Sequence, residues 1–435
     1  MVRILVFVLM APLLCLGQES STVKEKGKPG VEFLETWNWE QVREKAKSEH
    51  KFIFIDCFAT WCGPCKMMDS KTYVDEEVGR VVNEGFLSIK VQCDSSRNDG
   101  DVIKSQYADA HRIVEEFKIN AFPTFLFFSP DGNLVHKDMG FSPPNEFIEV
   151  VTAAKNPNEQ YYTQIALYRS GGLGYEKMPV IAATARKFGD LEIYREICNK
   201  YVKEYLNQLP DSAFRGKDIL DNLVDNAPFL STDDRIFKWV LTHQDMADSI
   251  VGEKNVASWL TNSVIYKAIV EPTIVKAKQT GKSPDWIGIT NEITSRYGKE
   301  HATETILKGK MGWFEYEKDW ENYFAAGIER IENARLDEIS QNLTMLNNFA
   351  FEIFQRSNDR TKLETALSWM RLPEGSALNT MPHAGTFLDT KANLLYKLGR
   401  KDEALPLEAK AAELQPKDKG ISMALAKMQE GKPTW

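Results

Sequence analysis

Cysteine is scarce in this 435-residue sequence, which holds six. That is too few, and too spread, for a disulfide-stapled scaffold. Histidine is equally scarce, and His50, His111 and His136 are scattered, as are His243, His301 and His383. No second Cys-x-x-Cys and no Cys/His pair accompanies the one at Cys62 and Cys65. The four ligands of a structural zinc site are therefore lacking, and no metal is expected. Basic charge is not in excess: 54 Lys and Arg stand against 62 Asp and Glu, for a net charge of −8. With no long basic run, a nucleic-acid partner is not expected. Long apolar runs are missing beyond Leu16, so no later segment is expected to span a membrane. At 43% hydrophobic and 27% charged, the composition is that of a folded chain. Its length calls for two or three domains.

What is present begins at the first residue. Met1-Val2-Arg3 gives a short positive start, Ile4 to Leu16 is almost wholly apolar, and Gly17-Gln18 follows. The apolar stretch has the length of a signal core and falls short of the ~20 residues of a spanning helix. Cys15 and Gly17 are small residues at signal-peptidase spacing, so residues 1–17 read as a signal peptide cut after Gly17. A short membrane anchor is the alternative. Lipid attachment at Cys15 is disfavoured by Leu14, where a small residue belongs. The expected location is therefore exported, periplasmic or secreted, in a bacterial envelope. Five cysteines remain after the cut: Cys57, Cys62, Cys65, Cys93 and Cys198. One close pair among so few points to redox work rather than stapling.

Residues 18–30 are polar and read as a flexible leader. From Val31 the pattern becomes strand–helix. Trp39 to Lys47 reads as a helix, and the near-continuous apolar run from Lys51 to Ala59 as a strand buried on both faces. Cys62-Gly63-Pro64-Cys65 then opens a helix, and Asp75 caps another running to Asn83. Phe86 to Cys93 alternates, with Leu87, Ile89, Val91 and Cys93 on one face. Asp94 to Gly100 reads as a loop and Ala108 to Phe117 as a helix. A hairpin of Thr124 to Ser129 and Leu134 to Met139 turns at Pro130-Asp131-Gly132-Asn133. Pro144 to Ala154 closes the set as a helix. One α/β domain is expected over 31–156.

Trp61-Cys62-Gly63-Pro64-Cys65-Lys66 sits directly after the buried strand. Asp56 lies six residues before Cys62, Lys90 is in the next strand, Phe122-Pro123-Thr124 opens the hairpin, and Gly140 follows it. In this order these residues resemble the thioredoxin family. Lys66-Met67-Met68-Asp69 followed by Thr72, and the Asp94 to Ala110 insertion, are similar to bacterial envelope thioredoxin-like reductase domains, including the carboxy-terminal domain of the membrane electron-transfer reductase. The resemblance covers Val31 to Ala154. It implies an α/β thioredoxin fold, with a central mixed sheet flanked by helices and a redox disulfide between Cys62 and Cys65. It also implies thiol–disulfide oxidoreductase activity without a cofactor.

The chemistry follows from the residue types. Thiolate, not thiol, attacks a disulfide. At a strand-to-helix turn Cys62 meets unpaired N–H groups and the positive end of the helix dipole, which stabilise a negative sulfur. In thioredoxin itself that thiol has a pKa of ~7 against ~8.5 for free cysteine. Cys62 is the expected attacking sulfur and Cys65 the resolving one. Asp56 stands where the family keeps a buried acid, and is the expected base for Cys65 through a water. Lys90 either pairs with Asp56 and limits the rise of its pKa or is a solvated strand residue. Pro64 lacks an N–H and suits a first helical turn. Gly63-Pro64 is the dipeptide of reducing thioredoxins, near ~−270 mV rather than ~−120 mV for the oxidant type. A cis Pro123, flanked by Phe122 and Thr124, would face the dithiol and leave backbone free for a substrate strand. Trp61 shields the turn and contacts substrate, or simply packs. Cys57 and Cys93 are free core thiols or a second disulfide. Protein-disulfide reductase is the leading activity; isomerase or oxidant on the same site is the alternative. Disulfide-containing protein clients and an external electron donor are the implied partners.

From 157 to 435 the pattern is helical. Ala392, Gly399, Ala404, Ala411 and Pro416 fall at the spacings of one tetratricopeptide unit, giving a TPR-like hairpin near 384–417. A generic helical-hairpin bundle explains the rest equally well. Trp313, Trp320, Tyr323 and Phe324 form an aromatic stripe that reads as core or as a peptide groove. The expected role of this region is to hold a protein partner or client, or to act as a scaffold for which the first domain is a docking platform.

Overall fold

The structure is a computed structural model, and it describes residues 30–334, 340–371, 381 and 383–435. The expected signal peptide and all but the last residue of the leader lie outside the described residues. No helix among the described residues is long and apolar enough to cross a membrane. The chain falls into two compact units that part between Tyr194 and Arg195.

The first unit is built on a four-stranded sheet in the order β2-β1-β3-β4. Strand β1 (Phe52–Phe58) is rich in aromatic and β-branched residues and runs parallel to β2 (Phe86–Gln92). On its other side β1 pairs antiparallel with β3 (Thr124–Phe128), and β3 pairs with β4 (Leu134–Met139). This is the expected mixed sheet of a thioredoxin fold. Period-two alternation sorts β1 onto two faces. Ile53, Ile55 and Cys57 join one core with α1 (Trp39–Glu49) and residues of α4 (Asp101–Glu116). Phe54 joins the other, with Val78 and Val82 of α3 (Glu76–Gly85) and Phe147 and Val151 of α5 (Pro144–Lys155). Asp56 shares the Phe54 face by parity.

Local signals explain most boundaries. Asn38 caps α1 and Asp75 caps α3, each accepting two backbone N–H groups. Such a cap contributes about 1 kcal/mol. Helix α2 (Gly63–Met67) starts at Cys62 and runs into a wider turn over Met68–Thr72. One boundary differs from the sequence reading. Helix α4 begins at Asp101, seven residues before the expected Ala108. Val102, Ile103, Ala110 and Ile113 already carry helical spacing, and the polar Lys104-Ser105-Gln106 between them lies at the surface or half-buried.

The α/β pattern ends at Lys155, but the first compact unit continues. Two further helices, α6 (Tyr161–Arg169) and α7 (Met178–Lys187), belong to it and clasp β4. The Tyr161 N–H donates to His136 Nδ1 at 3.1 Å, and Tyr161 Oη donates to Asp190 at 2.8 Å. Lys187 pairs with Asp138, and Lys137 lies 5.5 Å over the Phe188 ring.

The second unit is helical throughout its described residues. The hairpin near 384–417 forms from helices Ala384–Lys397 and Lys401–Leu414. Ala392, Ala404 and Ala411 are fully buried, and Gly399 takes the left-handed turn at φ +84. The aromatic stripe is mostly core: Trp313 and Phe324 are buried, and Phe324, Trp320 and Tyr323 pack with Phe349 and Ile353. His301 is held by Asn262 and Gln244, and His243 stacks on Trp239.

Candidate active site

Parallel register explains the first feature of the site. Asp56 and Lys90 are direct partners across β1 and β2. Both side chains leave the sheet on the same face, and Lys90 Nζ stands 3.6 Å from Asp56 Oδ2. The paired reading of Lys90 is the one the structure has. Lys90 also pairs with Asp69, in the turn after α2, and stands 4.9 Å over the Phe58 ring. Asp56 is 1% exposed, and its Oδ1 is without a hydrogen-bond partner among the described residues. Burial pushes its carboxyl up from 3.8 to about 6. Lys90 opposes that rise, while Asp69 adds to it. Tyr73 is buried against the same carboxyl, and its phenol is raised by burial and by Asp56. From the sequence, Asp69 has no role beyond its place in the Lys66-Met67-Met68-Asp69 run, and Tyr73 has none. The signal for Asp69 is its place one helical turn after Cys65, facing a lysine that only the sheet brings near.

The dithiol lies at the end of β1. Thr60 anchors this turn to Asp94 through its backbone N–H at 3.0 Å and its hydroxyl at 2.5 Å. Cys62 occupies the N-cap of α2, with extended backbone, and its Sγ accepts the Cys65 N–H at 3.1 Å. Gly63 and Pro64 form the first two helical positions, where a missing N–H costs nothing. Cys62 and Cys65 are joined as a disulfide, S–S 2.07 Å and Cα–Cα 5.4 Å. Both are buried with Ala59, and half-buried Phe58 and Phe122 pack on them. Phe58 thus borders the dithiol and Lys90 alike.

The hairpin supplies the opposite wall. The Phe122–Pro123 peptide is cis. Gly140 N–H donates to Pro123 O at 2.9 Å, and Thr124 donates its hydroxyl to Ala121 O at 2.7 Å. Thr124 pairs with Cys57 at the start of β3. Trp61 is 71% exposed and meets Phe122 edge-on at 5.9 Å. It projects from the turn rather than packing into the core. Cys57 and Cys93 are free thiols. They meet across β1 and the end of β2, and the contact with Cys93, followed by burial, holds Cys57 well above an ordinary thiol. Among the described residues no cluster of three or more metal-ligating side chains occurs.

Comparison with known proteins places these residues in context. The family model described as a thioredoxin-like domain matches residues 39–155. A thioredoxin of Mycoplasmoides gallisepticum is 31% identical over 104 residues, 24% of this chain and 85% of the relative. The thiol:disulfide interchange protein DsbD of Campylobacter jejuni is 28% identical over 114 residues, 26% of this chain but 18% of that protein. Among solved structures, the C-terminal domain of Neisseria meningitidis DsbD in its reduced form shares 24% identity. It covers 27% of this chain and 94% of that domain, with a TM-score of 0.22.

Proposed function

Because the chain belongs to the thioredoxin family, with the thiol–disulfide oxidoreductase activity that goes with it, we propose that it works as a protein-disulfide reductase on exported clients. In the reduced protein, the Cys62 thiolate attacks one sulfur of a client disulfide. A mixed disulfide forms, and the client's other sulfur leaves as a thiolate and takes up a proton. Cys65 then attacks Cys62 Sγ, closing the intramolecular disulfide and releasing the second client thiolate. Two electrons pass to the client, and an external dithiol must return them.

The observation that carries this reading is the Cys62 position. Its sulfur caps α2, accepts a backbone N–H, and sits at the helix end that favours negative charge. Asp56, ionising near 6, is suited to take the Cys65 proton at neutral pH. Exposed Trp61, with Phe122, Pro123 and Thr124 opposite, supports a client-binding edge beside the dithiol. The Gly63-Pro64 pair supports the reducing direction over isomerisation or oxidation. The apolar Ile4 to Leu16 stretch supports export to a periplasmic or secreted location. The TPR-like hairpin supports a client-recruiting role for the helical unit.

Insulin reduction by the full-length protein tests the proposal. Wild type is expected to precipitate insulin in the presence of dithiothreitol, and Cys62→Ser to fall to the uncatalysed rate. Cys65→Ser is expected to accumulate mixed disulfides on non-reducing gels, identifying the clients. Equal rates for wild type and Cys62→Ser would sink the proposal. A measured potential well above that of thioredoxin would assign the oxidising direction instead.

A further inference from the structure

The second unit holds a cavity of about 480 Å³ between the helices Ser340–Arg356, Ala384–Lys397 and Lys419–Gln429. That volume lies within the range of ligand pockets. Its lining combines three chemistries. Asp389 and Asp418 bring carboxylates, Gln355 and Asn393 bring amides, and Phe354 and Trp435 bring rings. Among the described residues that line it there is no Lys, Arg or His.

The carboxylates are not neutralised from within. Asp389 accepts one N–H, from Asn393 at 2.9 Å, and no cationic side chain among the described residues pairs with it. Behind it Glu408 is fully buried, and among the described residues its oxygens meet no hydrogen-bond partner other than Asp389. Burial, with Asp389 beside it, pushes Glu408 up to about 9. Burial raises the Asp389 carboxyl as well, so the two acids face each other with Asp389 at the cavity wall and no cationic side chain among the described residues between them. The Thr434 hydroxyl, also on the wall, is buried and meets no partner among the described residues. Asp418 is partly engaged, since it caps the helix behind it through Gly420 and Ile421.

The rings have the matching property. Lys397, two turns along from Asp389, lays its ammonium 5.0 Å over Trp435 and 5.5 Å over Phe354, and donates to Phe354 O at 2.6 Å. These rings thus already take a cation on one side. An alkyl stem lies well along such a ring while its charged head reaches a carboxylate.

We propose that this cavity is the binding site for a lysine or arginine side chain of a client polypeptide, with Asp389 receiving the cation, Trp435 and Phe354 the stem, and Gln355 and Asn393 the adjoining backbone. The proposal deepens the recruiting role given to the helical unit. It does not depend on the dithiol, because binding is read without turnover.

Fluorescence anisotropy on the full-length protein tests it. The probe is a fluorescein-labelled Ser-Gly-Gly-Lys-Gly-Gly-Ser peptide, compared with the same peptide carrying norleucine for lysine. Saturable binding of the lysine peptide is expected, at least tenfold tighter than the norleucine peptide. Asp389→Asn keeps the shape, removes the charge, and is expected to weaken binding at least tenfold. Trp435→Ala, at a half-exposed position, is expected to weaken it several-fold and serves if Asp389→Asn misfolds by circular dichroism. Equal affinity for the two peptides, or unchanged affinity in a folded Asp389→Asn variant, overturns the proposal. Tight binding of spermidine with none of the lysine peptide also overturns it, in favour of a free-polyamine site.

Discussion

Lys90 is shared: one ammonium answers both buried Asp56, at 3.6 Å, and half-exposed Asp69. The parallel register of β1 and β2 sets the first contact, and the turn after α2 sets the second. Asp56 is thereby only partly neutralised, so burial prevails and its carboxyl stays protonated to about pH 6.

Lys90→Met removes the charge that lowers the Asp56 pKa and leaves Asp69 to repel it. The acidic limb of the pH–rate profile for insulin reduction is expected near pH 6 in wild type and about one unit higher in the variant. The two profiles should converge at alkaline pH. Superimposable limbs would remove Asp56 from the role of base.

Asp56 also makes a thermodynamic prediction. It ionises at about 6 in the fold and at 3.8 ordinarily. The unfolded chain therefore releases this proton first as pH rises, and stability declines between pH 3.8 and 6. Above pH 6 the loss levels off at on the order of 3 kcal/mol. Asp56→Asn is expected to be more stable than wild type at pH 7.5 by up to that amount, and to lose the advantage near pH 4. Urea titrations at the two pH values measure it.

His136 has the opposite sign. Burial lowers it from 6.5 to about 4, and its Nδ1 accepts the Tyr161 N–H. Its contribution is fully present above pH 6.5 and is lost as pH falls toward 4, by roughly 3 kcal/mol. Between pH 4 and 6 the two groups work against each other in wild type. Asp56→Asn should expose the His136 slope as a steeper acid destabilisation. His136→Asn in the same background should flatten it again.

Gly79 marks a close backbone approach. A Cβ there would lie 2.3 Å from Gly30 O and 2.5 Å from Gly30 C, neither of which can rotate away. Gly79→Ala is expected to destabilise the first unit by ~1–3 kcal/mol, seen as a lower denaturation midpoint. An unchanged midpoint would mean that the segment at Gly30 moves freely off α3.

The dithiol and its scaffold were legible in the sequence because they rest on local signals. Phe52–Phe58 is a continuous apolar run, Pro64 marks a helix start, and Cys62 and Cys65 stand one turn apart. Residues whose roles depend on distant chain were not legible. Asp69 gains its electrostatic role only when parallel pairing delivers Lys90, and His136 only when Tyr161 donates to it from α6. The early start of α4 was hidden for a different reason. Its first turns follow the polar loop Asp94–Gly100 and carry Lys104, Ser105 and Gln106, so the apolar spacing is diluted where it begins. The acidic cavity in the helical unit was beyond reach as well, since residues of four separate segments line it.

The clasp on β4 bears on how open the edge of the sheet is to other chains. β4 is the last strand of the sheet, and such an edge invites pairing with another chain. Here Tyr161, Lys187 and Phe188 meet His136, Asp138 and Lys137 of that strand. A fragment ending at Lys155 would keep every residue of the dithiol and lose this guard. Such a fragment is expected to self-associate more readily than one extending through Asp190, as read by light scattering.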